Sequence, residues 1–441
     1  MTGLELGGVG FLVLLALLAT RIPIGVAMLA VGIVGYGIIA GVDALLSYLK
    51  TEMYWRFTTY DLSVVPLFVL MGNFAAKAGL SQALFRAANV WLGHFRGGIA
   101  MAAIGGCAGF GAIAGSSLAT AATMGQVALP ELKRYNYSGA LATGTLAAGG
   151  TLGILIPPSV VLIIYAIIVE ANIVTLFQAA FIPGILAALG YIATIAIVVR
   201  ISPEAGPAGD RATRAEKWSA ILDIWPVLGI FLLVMGGIYL GLFTPSEGAA
   251  VGVVGTFFIA ITRGKMRWEG FSKALISTAN TTALIFLILL GAAVFNAFLG
   301  FSNLPLATAD FFKNSGFAPM TVLLGMVLLF ILLGFVMDSL SMILLTVPIF
   351  WPIIAVLDFG MSPDDLQLWF GIITLIVVEV GLITPPVGLN VFVINSMAKD
   401  VPMIETFKGV MPFFLSDTIR VALLILFPGI TLLLPRLLAG E

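Results

Sequence analysis

Residues 105–130 read GGCAGFGAIAGSSLATAATMGQVALP. Nothing in this run is charged, so it passes a hydropathy filter. The residues just before Ser117 are nevertheless too rich in glycine for a stable helix interior, and Ser116, Ser117, Thr120 and Thr123 add hydroxyls. Irregular, hydroxyl-bearing backbone is tolerated in apolar surroundings only where protein buries it or where it lines a cavity. The stretch is therefore expected to build a binding site, with most of the remaining chain serving as scaffold.

The surroundings are apolar throughout. Of 441 residues, 60% are hydrophobic and 10% charged, and the mean hydropathy is +1.13. No soluble core absorbs that mixture, which points to an all-α, polytopic membrane protein in contact with lipid. A single cysteine (Cys107) excludes a disulfide scaffold, and a single histidine (His94) argues against imidazole chemistry. A net charge of −1 gives no footprint for nucleic acid. No nucleophile-and-base set and no Walker loop is present, so neither an enzyme nor an ATP-driven pump has support. The first apolar run, residues 4–20, lacks a basic leader and is read as a retained segment.

Charge placement orders the topology. Arg86 and Arg96 precede the opening stretch, and Lys133 and Arg134 follow it. With both flanks cytoplasmic, residues 98–130 enter and leave by one face, as a re-entrant hairpin. The loop 200–217, with Arg211 and Arg214, and the cluster Arg263, Lys265, Arg267 and Lys273 fall on the same side. Asp358, Asp364 and Asp365 mark an outer loop, so residues 319–352 form a second hairpin entering from the opposite face. Residues 50–61 mix charges with Tyr54, Trp55, Phe57 and Tyr60, as an interfacial arm does, and Arg21-Ile22-Pro23 marks a junction between two short apolar runs. The total is about ten crossings plus the two hairpins.

The halves also align with each other. PLFVLMGNFAAKAGL (66–80) matches IFLILLGAAVFNAFL (285–299) at an offset of 219. Ser117-Leu118 and Pro130 match Ser339-Leu340 and Pro352 at 222, and GILIPP (153–158) matches GLITPP (381–386) at 228. Ordered, slowly drifting offsets, with hairpins of opposite orientation, indicate an inverted-topology repeat whose site lies at the interface of its halves.

Both proline pairs fall inside crossings, where each proline removes a donor and breaks the helix. The break frees carbonyls for a cation and leaves a helix amino end for an anion. Around the breaks stand Thr151, Ser159, Thr384 and Asn390, while Ser116, Ser117 and Thr120 in the first hairpin answer Asp338, Ser339, Ser341 and Thr346 in the second. Asp338 is the sharpest single case, because a lone carboxylate in an apolar segment is costly unless paired or functional. Glu379 has a similar claim with less geometric support. Ser246 and Glu247, after Pro245, read as an ordinary helix start.

These residues carry a family resemblance. RIPIGVAM (21–28), PLFVLMG (66–72), GFGAIAGSSLATAATMG (109–125), GTLGILIPPS (150–159), LFTPSEGAAVG (242–252), GFVMDSLSMILLTVPI (334–349) and VGLITPPVGLNVFV (380–393) occur in this order. Over nearly its whole length the chain resembles the large membrane subunit (M subunit) of the tripartite ATP-independent periplasmic (TRAP) transporters. The resemblance implies an elevator-type, sodium-coupled importer of an organic acid, a C4-dicarboxylate, another carboxylate or a sialic acid, in the bacterial inner membrane. It implies scaffold helices and arm over 1–61, and a first transport repeat over 62–169 with its hairpin at 98–130 and broken helix at 138–168. Scaffold helices and the cytoplasmic linker follow over 170–277. The second repeat covers 278–398, with its hairpin at 319–352 and broken helix at 368–397, and a C-terminal helix occupies 399–441.

By the same resemblance, sodium is expected at Ser116, Ser117, Gly153 and Pro157 and at Asp338, Ser339, Gly381 and Pro385. Substrate is expected between the hairpin tips, among Ser116, Ser117, Thr120, Ser159, Thr384 and Asn390. A small four-helix (Q-type) membrane subunit and a periplasmic substrate-binding protein are the implied partners. No small-subunit fusion stands at the N-terminus, so that partner is expected as a separate polypeptide. The alternatives are a self-sufficient ion-coupled anion transporter and, with less support, a channel.

Overall fold

The computed structural model describes residues 2–20, 22–263, 266–335 and 337–439, and among these it contains only helices and their connections. Arg21, read above as part of a junction, and Lys265, read above as one of a basic cluster, lie outside the described residues. The chain opens with α1 (Gly3–Ala19), α2 (Ile24–Ala40) and α3 (Val42–Thr58). α3 bends by 57° into a 3-10 turn and α4 (Val64–Lys77), leaving Tyr54, Trp55, Phe57 and Tyr60 exposed. Residues 50–61, read above as an interfacial arm, thus form the end of α3 and the turn into α4.

α5 (Leu80–Leu92) leads to the pair α6 (Gly98–Ala114) and α7 (Ser117–Arg134). The broken helix α8 (Gly139–Leu155) and α9 (Val160–Val169) follows, then α10 (Ile173–Ile201). α11 (Arg214–Tyr239), α12 (Pro245–Thr262) and α13 (Trp268–Phe301) come next. α12 begins in a capping box closed by Thr244 and Glu247, so the cap is Thr244 itself, one residue ahead of the proline. The second half continues with α14 (Leu304–Asn314), the pair α15 (Pro319–Gly334) and α16 (Ser339–Ala355), and the broken helix α17 (Pro363–Gly381) and α18 (Leu389–Met397). α19 (Met403–Leu426) and α20 (Gly429–Ala439) close it, a break at residues 427–428 dividing the one C-terminal helix expected over 399–441.

Among the described residues, five helices, α10 to α13 and α19, are long and apolar enough to cross a bilayer, and seven spans result if α3 with α4 and α8 with α9 each count once. The shortfall against about ten lies in helices such as α1, α2 and α6. At 17 residues each rises about 26 Å, short of a hydrocarbon core of about 30 Å.

Helix α6 corrects the opening expectation. The glycine-rich run is a regular helix up to Ala114, and only Gly115 and Ser116 leave it. Propensity lost to tertiary packing, because glycine lets α6 lie directly on α5 and α8. α8 is held by α6, α7, α10 and α19, and α17 by α15, α16, α10 and α19. On the other side, α2 runs along α13, and α4 packs on α12 and α13. The connection after α10 lies against the foot of the first pair. The Gly97 N–H donates to the Gly206 carbonyl at 2.9 Å, the Gly209 N–H to Gly93 at 2.8 Å and the Ser138 N–H to Ala205 at 3.0 Å.

Candidate functional site

Two helix pairs end in matched caps. Between α6 and α7, Gly115 takes a left-handed conformation (φ +61°), which a side chain would strain. Ser116 is extended there, and its hydroxyl accepts the Ala119 N–H at 3.4 Å. Between α15 and α16 the corresponding residue is Asp338, whose carboxylate accepts the Ser341 N–H at 3.3 Å and the Ser341 hydroxyl. Asp338 is half-buried. Its cost is met locally, because an aspartate at a helix start caps orphan amides and suits the dipole.

Each pair leans on a broken helix through glycines. A Cβ at Gly111 would stand 2.6 Å from the Gly153 Cα, and one at Gly334 would stand 2.6 Å from the Gly381 Cα. Gly153 is confined further: its Cβ would lie 2.5 Å from the Ser116 carbonyl oxygen and closer still to Thr120 Oγ1. Thr120 is fully buried, and its hydroxyl has no hydrogen-bond partner among the described residues.

The two breaks differ. In the first, residues 151–160 are all buried, α8 and α9 meet at 46°, and buried Ser159 caps α9 through the Leu162 N–H at 3.4 Å. Pro157 and Pro158 have no N–H, so the Gly153 and Ile154 carbonyls lose their helical donors, and none among the described residues replaces them. In the second, Gly381 and Leu382 lose theirs to Pro385 and Pro386. There the Thr384 N–H returns to Gly381 at 3.2 Å and the Asn390 N–H to Leu382 at 3.1 Å. Thr384 and Pro385 are half-buried and Pro386 is exposed. The Thr384 hydroxyl turns back to the Val380 carbonyl at 2.6 Å. Asn390 is fully buried and donates across the halves to the Ala147 carbonyl at 3.3 Å, leaving its own side-chain oxygen unpartnered among the described residues.

Glu379 joins the two tips. It is fully buried on α17, Ser339 donates to its Oε1 at 2.5 Å, and buried Ser117 interacts with the same carboxylate. Its Oε2 has no hydrogen-bond partner among the described residues. Asp338 was ranked ahead of Glu379 on sequence. The deeper, less satisfied carboxylate is Glu379.

A second buried group includes residues that the sequence patterns above do not single out. Thr151 and Tyr191 share a hydrogen bond of 2.9 Å, Tyr191 donates to Asp417 at 2.8 Å, and Asp417 pairs with Arg420 at 2.8 Å. This links α8 to α10 and α19 behind the first break. Its legible signal was Asp417 and Arg420, an i, i+3 charge pair inside an apolar run.

Two cavities with polar linings lie along the helix pairs. One, of about 400 Å³, lies where α9, α13 and α16 meet and takes in Arg56, Asn296 and Trp351. The other, of about 380 Å³, lies between α4, α5, α7 and α13 and takes in Asn73, Lys77 and Gln126. The offset of 219 places Lys77 opposite Asn296, and that of 222 places Gln126 opposite Pro348, which lines the first cavity.

Comparison with known proteins gives a consistent picture. The model of the family described as "Tripartite ATP-independent periplasmic transporter, DctM component" matches residues 11–430. The chain is 35% identical over 380 residues to the C4-dicarboxylate TRAP transporter large permease protein DctM of Pseudomonas aeruginosa, covering 86% of each chain. It is 31% identical over 428 residues to the sialic acid TRAP transporter large permease protein SiaM of Vibrio cholerae, covering 97% of each. Among solved structures, the Alcanivorax borkumensis YdaH transporter superposes with a TM-score of 0.64 over 88% of this chain and 89% of that one. At 16% identity, that likeness concerns the fold alone.

Proposed function

Because the chain belongs to the DctM component family of the tripartite ATP-independent periplasmic transporters, we propose that it is the large permease of a sodium-coupled, binding-protein-dependent importer of an organic acid. The observation that carries this reading is the meeting of Ser117 and Ser339, from the tips of two matched helix pairs, at Glu379 between them. A substrate held near the tips meets hydroxyls and helix amino ends from both halves, a donor set suited to a carboxylate. The substrate classes named for the relatives, C4-dicarboxylate and sialic acid, are both carboxylates.

The sodium reading is supported by the oxygen atoms left over. A hard monovalent cation is held by carbonyls, hydroxyls and carboxylates. The Gly153 and Ile154 carbonyls, the orphan Thr120 hydroxyl and Ser116 would hold it at the first half. Asp338, Ser339, Gly381 and the unpartnered Glu379 oxygen would hold it at the second. Sodium bound there supplies fixed positive charge between the helix tips, which favours an anion beside it. The matched pairs lean on their breaks through small residues, which supports an inverted repeat and movement of the two halves as one elevator body. A small four-helix subunit braces the scaffold, and a periplasmic binding protein delivers the substrate.

The test is uptake into sealed proteoliposomes holding this chain with its small subunit. The binding protein is added outside, a sodium gradient is switched on and off, and a panel of organic acids is offered. Uptake requiring both sodium and binding protein is the expected result. Uptake with sodium but no binding protein would overturn the tripartite part of the reading and favour a self-sufficient transporter.

A further inference from the structure

The cavity between α4, α5, α7 and α13 has a lining that the helix tips do not explain. Lys77 from α4 and Lys273 from α13 both line it, and no acidic residue does. Glu269, outside the lining, pairs with exposed Lys273 at 2.6 Å and also interacts with Lys77, which has no ion pair among the described residues. The neutral groups are biased the same way. Ser81 donates to Gln82 Oε1 at 3.0 Å, and Ser277 donates to Asn73 Oδ1 at 3.4 Å. The Asn73 amide nitrogen is itself engaged, donating to Thr278 Oγ1 at 2.9 Å, so the lining amides whose nitrogens have no hydrogen-bond partner among the described residues are those of Gln82 and Gln126. Thr123 and Gln126 lie about 9 and 14 Å along α7 from Ser117, well away from the tip.

We propose that this cavity is a second anion site, which holds the carboxylate of an organic acid between Lys77 and Lys273. Anion binding follows from the lining alone; that the anion is transported substrate rests on the function proposed above. The flanking cations Arg86, Lys133 and Arg263 mark this side as the one read as cytoplasmic. The site is then a station passed as substrate leaves the tips.

Amine acetylation read by mass spectrometry tests it, on the purified chain in nanodiscs of phosphatidylcholine, with succinate and N-acetylneuraminate as probes. At saturation, one of the two should slow acetylation of Lys77 and Lys273 together by about tenfold, in proportion to occupancy, while exposed Lys408 is unaffected. In Lys77→Gln the protection of Lys273 should be lost. Equal acetylation with and without both probes overturns the site. Protection in phosphatidylglycerol nanodiscs without either probe makes the occupant a lipid headgroup and overturns the carboxylate. Sodium-driven uptake measured in parallel separates the two readings: protection without uptake sinks the transport function and leaves the site, and uptake without protection does the reverse.

Discussion

The first broken helix is sealed and the second is open. Residues 151–160 are buried without exception, two carbonyls there have lost their donors, and the cap beside them is a neutral serine, Ser116. In the second half the same carbonyl positions are retaken by Thr384 and Asn390, Pro386 reaches the surface, and the cap is Asp338. Glu379, the carboxylate reached by both tips, also belongs to this half. One half holds orphaned backbone carbonyls closed off from solvent, while the other holds charge, the unpartnered side-chain oxygens of Glu379 and Asn390, and an exposed turn. Rigidity and charge have been divided between the halves.

The comparison breaks most directly at Gly153. Alanine there meets the Ser116 carbonyl in a region with nowhere to relax, so Gly153→Ala is expected to destabilise by about 3 kcal/mol, seen as a lowered melting temperature in detergent. Gly381→Ala, beside the open turn, should cost less. Equal losses would show that burial of the break does not distinguish the halves. Next in size is Glu379→Gln, which still accepts from Ser339 but removes the charge. Sodium-driven uptake is expected to fall about tenfold or more with the melting temperature kept. Unchanged sodium activation would remove Glu379 from the ion path.

Asp338 sharpens the same contrast. Asp338→Ala should lose about 1 kcal/mol of helix capping, whereas Asp338→Asn should lose almost none, because asparagine caps as well. Sodium activation of the asparagine variant then reads the charge alone, and normal activation would reduce Asp338 to a cap. The smallest effect is expected at Thr120. Its hydroxyl has no partner, so Thr120→Val should change stability without sodium by less than about 0.5 kcal/mol. The extra stability gained on adding sodium should disappear, and its persistence would move the ion off the first tip.

Much of this was legible because it is local. Proline pairs break helices wherever they occur, and the matched offsets around Ser117 and Ser339 pair the two tips, although Asp338 reads there as a costly lone carboxylate and not as the helix cap it forms. Other parts depended on contacts that sequence does not show. The run ending at Ala114 looked too rich in glycine to be helical, but those glycines are what allow α6 to touch α8. Glu379 looked like a lesser candidate because the serines that reach it lie 40 residues upstream and on the other half of the chain. Lys273 reads as a flanking charge and Lys77 as one residue of the repeat segment 66–80, and only the packing of α4 on α13 brings them to one cavity.

The connection from α10 to α11 has a mechanical consequence. Its first part is fastened to the foot of the α6–α7 pair at Gly93, Gly97 and Ser138, so it travels wherever that pair travels. The last backbone fastening is at Gly209, Asp210 beyond it accepts from the Tyr135 hydroxyl at 3.4 Å, and only residues 210–213 lie between that backbone fastening and the start of α11. Fully stretched, they span about 14 Å. If the pair shifts against α11, these four residues are a leash, and its length sets the longest stroke unless the fastenings let go.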